Sequence, residues 1–434
     1  MTRRTEIREI FAWEALDSRG TPTVACEVLL AGGDRGKATV PSGASTGTHE
    51  AVEMRDGGHR YGGRGVRRAV STVVGPLADA VRGLDAAAST GVDRALRSAD
   101  GSADLSTLGA NAVLAVSVAT VIAAAAATGE PLYRHVADGG AQPLLPMPMV
   151  NIISGGAHAG RAIDVQDFLV VPIGAQTFSE AIEIAWRVRA GTAEAAARGG
   201  HNVALVADEG GIAATLQSNR AALELVVTGI EVAGLQPGVD AAVAIDVAAT
   251  EFFDPATQSY ELAAERRSLS ARELIDELAA WCAEFPIVSI EDILAEDDWD
   301  SWVLGTEALA KVQLLGDDLF VTNPNRLQKG IDSAAANAVL VKPNQIGTLS
   351  DAWTVIQSAQ RAGYATVLSA RSGETEDAWL SDLAVGWRTG QIKVGSTMRS
   401  ERTAKWNRLL EIEKRLGDQA VFAGAAALSP TPTF

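Results

Sequence analysis

Six short apolar runs in the second half of the chain end on residues that can hold a cation, move a proton or grip an anion: Asp246, Glu291, Asp317, Lys342, Arg371 and Lys393. Successive members lie 22 to 45 positions apart. One strand, one helix and two loops of a (β/α)8 barrel take roughly 25 to 40 residues, so the spacing fits consecutive βα units. The C-terminal strand ends of such a barrel converge on one mouth. Three carboxylates, two lysines and an arginine scattered along the sequence therefore face one small volume. The arrangement predicts a metal-dependent active site.

A barrel accounts for only part of the 434 residues, so a second domain is expected. Residues 5–40 alternate in a β manner with a turn at Gly32 and Gly33, and from about residue 64 to 137 the pattern turns helical. Residues 1–138 thus read as an α+β capping domain, and the stretch from Gly139 to Pro143 marks its end. Residues 139–434 read as the barrel, with helices at Ser179–Arg198 and Ser270–Glu284, making the fold class α/β. Only the tail from Ala420, with its Ser-Pro-Thr-Pro, reads as loose. The run from Leu108 to Thr128 is long enough to tempt a membrane assignment, but Asn111, Ser117 and Thr120 interrupt it and a buried helix is expected.

A composition of 47% hydrophobic and 21% charged residues suits a globular protein with a sizeable core. The net charge of −17 argues against a nucleic-acid or anionic-membrane partner, so an anionic substrate has to be held by local positive charge. Cys26 and Cys282 are too few for a disulfide framework, which fits a reducing cytoplasm. Arg3 and Arg4 are followed by Glu6 and Glu9 where a signal peptide needs an apolar stretch, so no targeting signal is expected.

Any one strand-end carboxylate is more simply a helix cap or an ion-pair partner. Three at barrel spacing point to a hard cation such as Mg²⁺, which takes oxygen ligands and leaves positions open for substrate and water. Lys342 ends the apolar run Ala338–Val341. An amine on a buried strand near cations has its pKa lowered and can act as a general base. The plainer alternative is a structural ion pair.

Eight strings then occur in order: Asp17–Gly20, Val40–Gly47, Leu108–Ala112, Asp208–Gly211, Ser289–Asp292, Gly316–Asn323, Asn344–Thr348 and Arg371–Asp377. Collinearly, over roughly residues 5–415, they resemble enolase. The resemblance implies that Asp246, Glu291 and Asp317 ligate Mg²⁺. It implies a mobile lid at Ser42–Gly47, whose Ser42 ligates a second Mg²⁺ arriving with substrate. Lys342 corresponds to the base, and enolase-superfamily sites pair such a base with Mg²⁺ that stabilises the dianionic product of proton abstraction. Lys393 corresponds to the lysine that binds the substrate carboxylate and keeps Lys342 from holding its proton. Glu209 corresponds to the acid that protonates the departing hydroxide. It must be protonated, aided by Asp167, which stands where the family has a glutamate. Arg371 and Ser372 correspond to the phosphate grip, with Gln166 and His158 beside the reacting end. A small phosphorylated carboxylic acid is the implied substrate, and a homodimer or octamer the implied assembly.

Departures from the family gather near the phosphoryl end. Ala370 replaces the histidine before Arg-Ser, and Arg161 adds a cation where the family has asparagine. The neighbouring loops read Ser154-Gly155-Gly156, Ala213-Ala214-Thr215 and Gly395-Ser396-Thr397-Met398. Ala370 and Arg161 therefore join the residues expected to shape specificity. Two enzyme readings follow. One is an elimination on 2-phosphoglycerate; the other is a paralogue acting on a phosphoryl-modified analogue, as in carbon–phosphorus natural-product pathways that contain carboxyphosphonoenolpyruvate synthase. A non-catalytic binding protein of the same fold ought to have lost a ligand or the base, and all five of Asp246, Glu291, Asp317, Lys342 and Lys393 are present.

Overall fold

The structure is a computed structural model that describes residues 4–43 and 47–432. Of the expected lid, Ala44, Ser45 and Thr46 lie outside the described residues.

The chain opens with an antiparallel meander of β1 (Ile7–Leu16), β2 (Pro22–Leu30) and β3 (Arg35–Thr39). Helix α1 (Ser89–Asp100) follows, then α2 (Ala110–Thr128), which lies across the sheet. Gly36 makes this contact possible, because a Cβ there would stand 2.0 Å from the Ala119 carbonyl oxygen of α2. The other side of α2 meets the barrel, where Ser117 Oγ accepts the Leu349 N–H at 3.1 Å. A helix covered on all sides needs no polar face, which explains an alanine- and valine-rich segment buried without a break from Ala110 to Val121. It is long and apolar enough to cross a membrane, yet 83% of that window is buried inside the molecule, as the sequence predicts.

The second half forms a closed eight-stranded barrel from β4 (Met147–Ser154), β5 (Asp167–Val171), β6 (Ala242–Asp246), β7 (Ile287–Glu291), β8 (Gln313–Gly316), β9 (Ala338–Val341), β10 (Ala365–Ser369) and β11 (Gly390–Gly395). It departs from a plain (β/α)8 pattern at one strand. β5 runs antiparallel to both β4 and β6, and every other pair is parallel. The link from β4 to β5, residues 155–166, carries only a single 3₁₀ turn. A parallel return needs a crossover of a dozen or more residues, usually with a helix; this link is at that lower limit and has no α-helix, and the chain turns straight back. Two helices, α3 (Phe178–Arg198) and α4 (Asn219–Val232), then follow β5 before β6.

The remaining helices alternate with strands: α5 (Ala271–Glu284), α6 (Trp299–Ala308), α7 (Pro324–Ser333), α8 (Leu349–Arg361), α9 (Trp379–Gly386) and α10 (Ser400–Leu416). Their starts are written in the sequence. Ser270 and Glu273 form a reciprocal capping box on α5, while Asn323 caps α7 with Pro324 in its first turn. Inside the barrel, Met149, Leu169, Ala244, Leu315, Leu340 and Val367 fill the floor below the mouth. The tail corrects the expectation of looseness. Leu428 joins this interior at 3% exposure, Gln391 Nε2 donates to the Ala427 carbonyl at 2.9 Å, and the Ala423 N–H donates to the Leu145 carbonyl at 2.9 Å. Phe422 and Ala427 pack against the same interior, and Phe422 meets the Phe178 ring edge-on.

Candidate active site at the barrel mouth

The strand ends deliver their residues to one place. Asp246 and Glu291 close β6 and β7 and face each other in register, and Asp167 opens β5 opposite Asp246. Asp317 and Lys342 follow β8 and β9 directly, and Lys393 lies on β11 opposite Ser369 of β10. A small cavity is lined by His158, Gln166, Glu209, Asp246, Asp317, Lys342, Ala370, Arg371, Ser372 and Lys393. These ten are expected from the sequence; Ala248, Glu251, Asp292, Asp318 and Ser369, which complete the lining, are not. Glu291 and Asp167 lie just beneath, at 2% and 0% exposure.

Among the described residues, Glu291, Asp292 and Asp317 bring carboxylate oxygens within 4.8 Å of one another. The Glu291 Oε1 is buried with no hydrogen-bond partner among the described residues, and burial together with Asp246 pushes the Glu291 carboxyl well above its ordinary range. An all-oxygen set that crowded suits a hard divalent cation such as Mg²⁺. The residues fit the ion. Asp246 is tied to this set through Lys393 Nζ, which donates to Asp246 Oδ2 and Glu291 Oε2 at 2.7 Å each. Gln166 Nε2 donates to Asp246 Oδ2 at 3.2 Å, and Gln345 Nε2 to Asp317 Oδ1 at 2.8 Å.

Two expected charge states are corrected. Lys342 is pushed up rather than down: burial opposes its charge, but the carboxylates around it, Asp317, to which its ammonium donates, and then Glu291, together outweigh burial. Glu209 is likewise held below its usual range. Burial raises it, but Arg402, His158, Lys393 and Lys342 together pull it down. In both cases local charge pairing beats desolvation. On the far side of the cavity His158 Nδ1 stands 2.9 Å from Asp167 Oδ2. Burial disfavours the imidazolium, yet Asp167, Glu209 and Asp246 push His158 up to about 9.

Two expected residues stand apart. Arg161 lies in a neighbouring hollow and pairs at 3.0 Å with Glu251, which borders both spaces. Its side chain, on the link after β4, is 63% exposed. Ser42 does not line the cavity. Its backbone forms a bridge with Gly373, and its hydroxyl lies 2.9 Å from Glu53 Oε2 and accepts from Arg55 at 2.7 Å.

Other residues at the site were missed. Glu50 takes the Arg371 guanidinium in a fork, and Arg19 Nη1 reaches Ser372 Oγ at 3.4 Å. Asp292, at a φ of 45°, accepts the backbone N–H groups of Asp317 and Asp318. Arg402, from α10, reaches the loops under Arg371 and Glu209. Arg19 and Asp292 sit within the quoted strings, so a signal existed for them. Arg402 offers none, since it reads as one more cation on a charged helix.

Comparison with protein families gives two matches. The model described as the enolase N-terminal domain matches residues 7–136, and that described as the enolase C-terminal TIM barrel domain matches residues 142–431.

Proposed function

The chain belongs to the enolase family, and from that premise we propose a Mg²⁺-dependent lyase that eliminates water from 2-phosphoglycerate, or a close phosphoryl-modified analogue, to leave an enolpyruvyl product. The observation that carries this reading is the single cavity shared by Lys342, Lys393, Glu209 and Arg371 over the carboxylate cluster.

Asp246, Glu291 and Asp317 hold the cation in this reading, and Ser42 is assigned to a second ion brought by the substrate. Bound there, Mg²⁺ supplies positive charge against the negative charge that the substrate carboxylate gains when the α-proton leaves. Lys393 meets that carboxylate. The acting forms are neutral Lys342 and protonated Glu209, the reverse of the charge states their neighbours favour. Lys342, released from Asp317, first loses its own proton to solvent and then removes the α-proton. Glu209 first takes up a proton from solvent and then gives it to the departing hydroxide, so one proton leaves carbon and one arrives on oxygen. Arg371 and Ser372 take the phosphoryl group, because a guanidinium fork matches its oxygens. Gln166 and His158 flank the reacting end, with Asp167 orienting His158. The free thiols of Cys26 and Cys282 support a cytoplasmic setting. The exposed Phe11, Trp13 and Leu16 of β1 support assembly into dimers or octamers.

Ala370 favours the second substrate class. It lines the cavity beside Arg371 with a methyl group where the family carries an imidazole, leaving room for a larger group on phosphorus.

Incubation with 2-phosphoglycerate and Mg²⁺, followed by enolpyruvyl absorbance, tests the reading. Lys342→Ala is expected to stop exchange of the α-hydrogen with solvent deuterium as well as turnover. Undiminished exchange in that variant would remove Lys342 from the role of base.

A further inference from the structure

We propose that Arg402 is a positioning residue that locks the anion-binding end of the cavity to its proton-donating end. The inference deepens the function just proposed and rests on it.

The Arg402 side chain is fully buried, at 0% exposure, on the first turn of α10. Its Nη1 donates to the carbonyls of Arg371 at 2.6 Å and Val394 at 3.0 Å, and its Nη2 donates to the carbonyl of Ser372 at 2.5 Å. Val394 follows Lys393 directly. The same Nη1 stands 4.0 Å from Glu209 Oε1. One rigid plane therefore touches the backbone of both residues assigned to the phosphoryl group, the strand that carries Lys393, and the carboxyl assigned as acid. Burying a guanidinium is expensive unless its donors are met; here three carbonyls meet the Nη donors, while Nε makes no hydrogen bond among the described residues and stands 3.6 Å from Glu401 Oε1.

The route of this side chain is built into β11. Gly395 has a φ of +116°, and a Cβ there would stand 2.9 Å from Arg402 Cδ and 2.8 Å from the Glu209 carbonyl oxygen. The missing side chain lets the arginine stem and the Glu209 loop close on the strand together. Ser396 then fixes that loop, its N–H donating to the Glu209 carbonyl at 2.8 Å. Arg402 also contributes the largest of the opposing charges that hold Glu209 below its usual range, so its position and its charge act on the same group.

A lysine at 402 keeps the charge but has no fork with which to hold three carbonyls. Displacement of a reacting group by about 1 Å costs about 100-fold in rate. Arg402→Lys, at saturating substrate, is expected to lower elimination by about 10- to 100-fold while α-hydrogen exchange stays within a few-fold of wild type. Arg402→Gln is expected to give the same split and, by removing a cation beside Glu209, to move the basic limb of the kcat–pH profile upward. If Arg402→Gln does not fold, Gly395→Ala disturbs the same contact from the strand side and is expected to show the split. Elimination and exchange that are both unchanged, or that fall by one common factor, would overturn the proposal and leave Arg402 a structural residue. Glu209→Gln is measured alongside: normal elimination in that variant defeats the underlying assignment of the acid, whereas loss of elimination with normal behaviour at 402 defeats the present inference alone.

Discussion

Glu50 grips Arg371 in a buried fork, with Oε2 accepting from Nη1 at 2.8 Å and Oε1 from Nη2 at 3.1 Å, and neither side chain is more than 7% exposed. A carboxylate thus holds the arginine face that a phosphoryl group is expected to use. Phosphate binding at Arg371 becomes an exchange of anions rather than the filling of an open site.

Removing the charge of Glu50 leaves a buried guanidinium short of its partner, which costs about 3 kcal/mol. Glu50→Gln is expected to unfold at lower temperature than wild type and to regain more stability when inorganic phosphate is added, since phosphate binds only the folded form. Thermal unfolding across a phosphate series measures both effects. Equal phosphate-induced shifts in the two proteins would show that Glu50 does not compete for Arg371.

Asp292 holds the Asp317 loop, accepting the N–H groups of Asp317 at 3.0 Å and Asp318 at 2.9 Å. Residues that orient a metal ligand are worth about 10- to 100-fold in metal affinity. Asp292→Asn keeps one acceptor and sets an amide donor against the other N–H group, so Mg²⁺ affinity measured by calorimetry is expected to fall by that factor. Wild-type affinity in the variant would remove Asp292 from the metal's support.

His158 links stability to pH. Its folded pKa of about 9 lies above an ordinary unfolded value of about 6.5. The stabilisation is therefore complete below about pH 6.5 and is lost as pH climbs through about 9, amounting to about 3 kcal/mol. Denaturant unfolding of wild type and His158→Gln across that window is the measurement. The wild type is expected to weaken as pH rises and the variant to change much less; parallel curves would mean that the contact with Asp167 carries no such energy.

Ala370 separates the two substrate classes. On 2-phosphoglycerate, Ala370→His adds a donor and is expected to keep or raise kcat/KM. On an analogue with a bulkier phosphorus substituent, overpacking costs about 1 to 3 kcal/mol, or about 5- to 150-fold. Arg161 is 63% exposed and paired to Glu251, so Arg161→Ala, which leaves Glu251 uncompensated at the cavity edge, is expected to weaken an analogue with an extra anion more than 2-phosphoglycerate. High activity of the wild type on 2-phosphoglycerate that rises further in Ala370→His would exclude the analogue as the natural substrate.

The strand-end residues were legible because barrel closure gathers strand ends whatever lies between them, so spacing along the chain translated into proximity for Asp246, Glu291, Asp317, Lys342 and Lys393. The direction of β5 was not legible, since its buried Asp167–Val171 run reads the same either way. Charge states failed for a related reason. Sequence shows that Lys342 ends an apolar strand, but the carboxylate that sets its proton affinity, Asp317, is 25 positions away and becomes its neighbour only through folding. Glu50 lies 321 positions from Arg371, and their contact leaves no periodic trace.

The helix Ala110–Thr128 carries a consequence for synthesis on the ribosome. Its sheet-facing side can be covered early, by strands that emerge before it. Its opposite side waits for Pro343–Ile346 and Leu349–Arg361, which pack on it from the far end of the chain. Between the synthesis of Thr128 and that of Pro343 the nascent polypeptide therefore displays an uncovered alanine–valine ridge on which a chaperone has time to act.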